Sequence, residues 1–116
     1  MMSDCIFCKI GAKEIPSTMV YEDEQVAAFK DLEPQAPVHV LVIPKRHVES
    51  LAALTEEDKE LAAHILVDVI PRLARELGLA EKGFRVVANT GKEGGQTVQH
   101  LHFHLLGGRS MQWPPG

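Results

Sequence analysis

The chain has 116 residues, a mass of 12.8 kDa, 45% apolar and 24% charged residues, which bounds it to one modest globular core and excludes a disordered polymer. A formal net charge of -4 and a pI near 5.8 supply no global basic field, so polymeric nucleic acid and anionic membrane surfaces are not expected partners. No apolar run approaches the roughly 18 residues of a membrane span, and Met1-Met2-Ser3-Asp4-Cys5 lacks the basic and apolar regions of a secretory signal, which predicts one cytoplasmic domain over 1–116.

Cys5 to Ile10 opens the fold: Ile6, Phe7 and Ile10 recur at helical spacing and Gly11 ends the segment. In a reducing compartment Cys5 and Cys8 are expected as thiols, suited to metal binding or burial rather than a disulfide. Val20 to Glu22 and Val26 to Asp31 read as paired strands around Asp23-Glu24-Gln25. Pro34-Gln35-Ala36-Pro37 is a stiff connection into Val38-His39-Val40-Leu41-Val42-Ile43, a β-branched run that stops at Pro44 and is the expected central strand. Thr55-Glu56-Glu57-Asp58 caps one long helix, with acids where the dipole favours them. Leu61, Ile65, Val69, Leu73 and Leu77 then recur every four residues, a stripe to be buried against the sheet or against a second copy of the chain. Pro71 interrupts it, removes a backbone bond and is expected to kink the helix at a cost of about 3 kcal/mol. Gly78 supplies the stop.

Phe84 to Asn89 reads as a strand, Thr90 to Gly95 as a loop, and Gln96 to Leu106 as the last strand, closed by Gly107-Gly108. Hairpins, one long helix and a further hairpin predict an α+β fold with a mainly antiparallel five-stranded sheet and a short N-terminal helix. Within the last strand His100, His102 and His104 alternate, so their imidazoles share one face while Leu101, Phe103 and Leu105 take the other. Imidazole titrates near neutrality and serves as nucleophile, acid, base or metal ligand. Three readings follow: solvated histidines on an edge strand, a metal cage of three imidazoles, or a nucleophile at the central position.

The segment His100-Leu101-His102-Phe103-His104-Leu105-Leu106 resembles the His-φ-His-φ-His-φ-φ signature, with φ apolar, of the nucleotide hydrolases and transferases called histidine triad (HIT) proteins. Other motifs agree in order and spacing. They are Ile6-Phe7-x-Lys9-Ile10, Glu14-Ile15-Pro16, Ala36-Pro37-x-His39-x-Leu41-Val42-Ile43-Pro44-Lys45-x-His47, and Asn89 before Gly94-Gly95-Gln96-Thr97. The tail, Gly107-Gly108-Arg109-x-Met111-x-Trp113-Pro114-Pro115-Gly116, is similar to the histidine triad nucleotide-binding (Hint) branch.

That resemblance implies hydrolysis of purine nucleoside phosphoramidates to a nucleoside monophosphate and an amine, through a covalent nucleotidyl-histidine on His102. It places His104 and His39 beside the phosphate, where N–H groups stabilise charge, and Thr97 near the departing amine. Asn89, Gly95 and Gln96 match positions around the phosphate, and the Gly94-Gly95 backbone can approach an anion closely. Asp31 and Leu32 align with the ribose contacts. Ile6, Phe7 and Ile10 align with the apolar wall of the base pocket, plain core packing being the alternative from the residues themselves. His64, on the polar side of the long helix, is expected to be solvated or at a subunit contact.

Cys5-Ile6-Phe7-Cys8 is similar to a subset of bacterial HIT proteins, and to galactose-1-phosphate uridylyltransferases, in which two Cys and two His hold a structural zinc. The matching histidines here are His47 and His100, giving a closed Cys2His2 site that leaves His102 and His104 free for phosphorus chemistry. Buried free thiols and a redox pair are the competing readings of the two cysteines. The resemblance further implies a homodimer with the sheet extended across it and Trp113 near the partner's substrate. Two other activities are compatible with these residues: a nucleotide-binding interaction module with little turnover, and a metallohydrolase using all three triad histidines. A dinucleoside polyphosphate hydrolase or nucleotidyl transferase is a further possibility within the family, against which the Trp113-Pro114-Pro115 tail argues.

Overall fold

Residues 4–116 are described by a computed structural model; Met1–Ser3, part of the start read against a secretory signal, lie outside the described residues. Strands β1 (Met19–Glu22), β2 (Val26–Lys30), β3 (Val38–Pro44), β4 (Phe84–Val87) and β5 (Phe103–Gly107) form one sheet in the order β1-β2-β3-β5-β4. Every neighbouring pair is antiparallel. Asp23 builds the first hairpin turn, its Oδ1 accepting the N–H groups of Gln25 and Val26 at 2.7 and 2.8 Å. The β-branched run of β3 lies in the middle, as its composition predicts.

The two faces of the sheet are covered very differently. On one, Val26, Ala28, Val40, Val42, Phe103 and Leu105 join Leu61, Ile65, Val69, Ile70 and Leu73 in a continuous core. The helical stripe is therefore buried by its own sheet and needs no second copy to cover it. On the other face Ala27, Phe29, Leu41 and Ile43 pack against Phe7 and Ile10 of α1 (Ile6–Gly11), with Ile15, Met19 and Val98 at the margins. A helix of that length spans roughly 9 Å, so part of the face is left open.

Thr55 and Asp58 form a reciprocal capping box, with the Thr55 N–H donating to Asp58 Oδ2 at 2.9 Å. The helical run then passes through a 3-10 turn, α2 (Lys59–Ala63), a π-helical segment over His64–Val69, and α3 (Ile70–Glu76). The π segment is how the fold accommodates Pro71. The Ile70 N–H bonds to the Ile65 carbonyl, five residues back, and Pro71 falls at the start of α3, where a missing N–H costs least. It also serves the stripe. In an α-helix a strict spacing of four rotates about 40° per step, whereas the wider π turn takes that rotation back. Leu61, Ile65, Val69 and Leu73 accordingly all stay at 8% exposure or less. Gly78, at φ +77°, ends the run as expected.

The last strand is shorter than its sequence suggests: ladder pairing covers only Phe103–Gly107, not Gln96 to Leu106. Continuing the register from Val42↔Phe103 would set Leu101 opposite Pro44, which has no N–H to give. Instead the Leu101 N–H donates to the Val48 carbonyl at 2.6 Å. Alternation persists through this irregular stretch, since Leu101 still enters the helix-side core with Phe103 and Leu105. Strand β4 likewise ends at Val87 rather than Asn89. Among the described residues no helix is long and apolar enough to cross a membrane.

Candidate active site

The face that α1 leaves open holds a cavity of about 310 Å³. Ile6, Phe7 and Ile10 of α1 and Phe29 and Leu41 of the sheet form its apolar walls. Asp31, Leu32, Thr97, His102 and His104 supply its other end. Phe7 and Ile10 are core residues, each 7% exposed, that also line the cavity, while Ile6 is 48% exposed. Ile15, Pro16 and Ser17 also line the cavity without having been assigned a role from sequence; the Glu14-Ile15-Pro16 motif was the signal for the first two.

Each histidine is oriented by identifiable partners. His102 Nδ1 lies 2.7 Å from the carbonyl oxygen of His100, and Phe7 packs edge-on to its ring at 5.0 Å between centroids. His104 pairs across the sheet with Leu41, so it shares the cavity face with His39 two residues away on β3. His39 Nε2 and His104 Nδ1 are 2.9 Å apart, and Asp31 Oδ2 is 3.4 Å from His39 Nε2. Burial holds His39 below the usual histidine range, against the pull of Asp31. Burial, then the neighbouring His102 and His39, lower His104 to about 4. Both rings are thus neutral near pH 7.

His100 departs from the triad as drawn on a flat strand. Fully buried, it turns its Nε2 to the Pro44 carbonyl at 2.8 Å and its Nδ1 to Cys5 Sγ at 3.3 Å and Cys8 Sγ at 3.5 Å. With both nitrogens committed there, it does not complete a three-imidazole cage with His102 and His104. It joins Cys5, Cys8 and His47 instead, whose ligand atoms all lie within 4.8 Å of one another. His47 Nδ1 is 3.3 Å from Cys8 Sγ.

Those residues fit a tetrahedral metal. Metal–sulfur and metal–nitrogen bonds of about 2.3 and 2.0 Å put S and N roughly 3.5 Å apart. The Pro44 carbonyl holds the His100 proton on Nε2, which frees Nδ1 as a ligand. Burial, then the Cys5 sulfur, push the Cys8 thiol up to about 11, a cost that a cation at the centre would offset. Cys5 caps α1, accepting the Cys8 N–H at 3.4 Å, so the same short helix carries two thiols and the cavity wall.

Other sequence-selected residues lie off the cavity wall. Gln96 spends its amide on the loop: Nε2 donates to the carbonyls of Glu49 and Val98 at 2.8 and 3.0 Å, and Oε1 accepts the Gly91 N–H at 3.0 Å. It shapes the segment that delivers Thr97. Asn89 and Gly95 do not line the cavity, nor does Trp113, which is 81% exposed on the tail. The His64 side chain is 26% exposed and held between Asp23 and Asp68 at 2.6 and 2.9 Å rather than freely solvated.

The HIT domain family matches residues 12–111. The chain belongs to the HIT family. It is 55% identical, over all of both chains, to an uncharacterized HIT-like protein of Synechococcus elongatus. The structure is similar to a crystal structure of a HIT family hydrolase from Legionella pneumophila Philadelphia 1, with a TM-score of 0.94, 51% identity, and 97% and 99% of the two chains covered. It is also similar to a histidine triad nucleotide-binding protein from Candida albicans, with a TM-score of 0.79, 36% identity, and 95% and 82% covered. Cys5 and Cys8 precede the range that the family matches, whereas His47 and His100 fall inside it.

Proposed function

We propose that this HIT protein hydrolyses purine nucleoside 5′-phosphoramidates, as the Hint branch does, with His102 as the nucleophile. The observation that carries this reading is the 2.7 Å contact from His102 Nδ1 to the His100 carbonyl. A carbonyl oxygen only accepts, so Nδ1 carries the ring proton and Nε2 keeps its lone pair. Attack by Nε2 on the α-phosphorus breaks the P–N bond, the amine leaves with a proton, and a nucleotidyl-histidine forms. Water then displaces His102 and releases the nucleoside monophosphate.

The remaining groups divide the substrate between them. Ile6, Phe7, Ile10 and Phe29 receive the base on apolar surface, Asp31 accepts from a ribose hydroxyl with Leu32 beneath the sugar, and Thr97 faces the leaving amine. His104 offers an N–H to a non-bridging oxygen, with His39 behind it. The similarity to a histidine triad nucleotide-binding protein supports a nucleotide as the ligand. Cys5, Cys8, His47 and His100 would hold structural zinc, leaving no coordination position open for water. Its service is mechanical, since the backbone carbonyl of His100 is the group that orients His102.

The partner we assign is a second copy of the chain. Strand β4 is one of the two sheet edges, and Phe84 and Val86 on it are 41% and 37% exposed, with Leu66 and Val67 exposed on the helical run. Sedimentation should show a dimer at micromolar protein, and a monomer there would reject it.

Release of AMP from adenosine 5′-phosphoramidate is the test of the activity. Wild type should turn over, and His102→Ala, matched for folding and zinc content, should lose at least about 10⁴ in kcat. Turnover that survives in His102→Ala moves the chemistry to another group. AMP binding without turnover by wild type makes the protein a binding module.

A further inference from the structure

His39 carries hydrogen-bond information that the nucleophile does not use. It is 6% exposed, and its two ring nitrogens meet different kinds of partner. Nδ1 lies 3.0 Å from the backbone nitrogen of Gln35, which donates to it. An amide N–H only donates, so His39 Nδ1 accepts and the single proton of the neutral ring sits on Nε2. That Nε2–H meets His104 Nδ1 at 2.9 Å. His104 Nδ1 therefore accepts in turn, and the His104 proton is left on Nε2. A backbone amide in the loop before β3 thus decides the polarity of a ring that lines the cavity.

Gln35 is itself held from three sides. Its carbonyl accepts Arg109 Nε at 3.0 Å, its side-chain Nε2 donates to the Glu33 carbonyl at 3.0 Å, and prolines stand at 34 and 37. Arg109 is braced by a bond from Nη1 to the Ser110 carbonyl at 3.0 Å. The chain leaving β5 also lies tightly on this loop: a Cβ placed on Gly108 would come within 2.8 Å of Pro37 Cβ. The start of the tail therefore grips the segment whose N–H faces His39.

We infer that Arg109 and Gln35 are positioning residues, forming with His39 and His104 a relay that fixes His104 as an N–H donor toward the phosphoryl oxygens. Only the last link, from His104 to the phosphoryl group, rests on the phosphoramidase reading. His102 and His104, with ring centroids 5.1 Å apart, then present opposite polarity: a lone pair from one and an N–H from the other. The opposite tautomer of His104 would set a lone pair against a phosphoryl oxygen and repel it. The same relay disfavours a metal on Asp31, His39 and His104, although their ligand atoms lie within 4.8 Å of one another. A metal on His39 Nε2 would force the ring proton to Nδ1, against the Gln35 N–H.

Long-range 1H–15N correlation spectra of the full zinc-loaded chain read the tautomers directly. At pH 7 His39 and His104 should both be neutral with the proton on Nε2, and an Nδ1–H tautomer at either ring overturns the relay. Gln35→Pro deletes the donor, while Arg109→Met leaves it but releases its clamp, which keeps the test open if the proline variant fails to fold. Arg109→Met should lower kcat by roughly ten-fold, with KM changed less than about two-fold, because a small misplacement of a positioned group is felt in the transition state. It should also show an Nδ1–H signal at His104, and Arg109→Lys should recover part of the loss. Wild-type tautomers and kcat in Arg109→Met remove Arg109 from the relay. Correct tautomers in a wild-type protein with no turnover leave the relay standing and reject the phosphoramidase reading, whereas turnover with an Nδ1–H at His104 rejects the relay alone.

Discussion

His39 and His64 each stand beside a carboxylate, and the two regions end with opposite charge. His39 lies 3.4 Å from Asp31 in a buried setting, where the loss of water outweighs the attraction, so it stays neutral. His64 touches Asp68 and Asp23 at 2.9 and 2.6 Å near the surface, and its hydrogen bonds to them raise it above the ordinary histidine value. Burial also opposes the Asp23 charge, yet bonds from Tyr21, His64, Gln25 and Val26 bring that carboxylate down to about 2. A nearby acid is therefore not enough to charge a histidine; contact distance and access to water decide. One region becomes a set of neutral donors and acceptors suited to phosphoryl chemistry. The other becomes an ion cluster that ties the β1–β2 turn to the π segment.

The comparison can be broken most forcefully at Asp23. Asp23→Ala removes the acceptor for four donors and should lower the unfolding free energy by about 3 kcal/mol in urea titrations at pH 7. Wild-type stability there would mean the cluster is only a surface ornament.

A smaller effect separates the neutral pair. Because His104 is lowered to about 4, the unfolded chain takes up its proton first as pH falls, and stability is lost between the ordinary histidine value and about 4. His104→Gln should flatten that slope, recovering of order 2 kcal/mol of the difference between pH 7 and pH 4.5 with the metal content held equal. An unchanged slope would show that His104 is not held neutral by the fold.

The smallest effect is expected at His64, and with the opposite sign. Its raised value means the stabilisation is complete below the unfolded histidine value and disappears as pH rises through the folded one. His64→Gln should cost about 0.5–1 kcal/mol at pH 6 and less at pH 9, as for a partly exposed ion pair. A cost that grows with pH would reverse the assignment of charge.

Much of the fold was legible because its signals are local. The β-branched run of β3, the Thr55–Asp58 cap, the Gly78 stop and the alternation of Leu101, Phe103 and Leu105 each depend on neighbours a few residues away. The π segment was less legible, since Pro71 announces a conflict but not its resolution; in hindsight the strict spacing of four in the stripe was its trace. For the site, the triad and the Cys-x-x-C were visible, and resemblance to a family supplied His47 and Asp31. Gln96 shows the limit: a polar residue beside a glycine pair looks like a phosphate contact, yet its amide is consumed by loop carbonyls that no spacing reveals.

By itself the sequence determined which residue types alternate, where helices start and stop, and which side chains could do chemistry, because periodicity, sterics and capping act over one or two turns. Only the tertiary structure decided what each histidine is. The His100 carbonyl accepts from His102 and so holds that ring's proton on Nδ1, an amide at Gln35 keeps the proton off Nδ1 of His39, two thiols claim His100, and two carboxylates charge His64. Imidazole has nearly equal intrinsic preference for its protons, so the groups that arrive beside each ring make the choice.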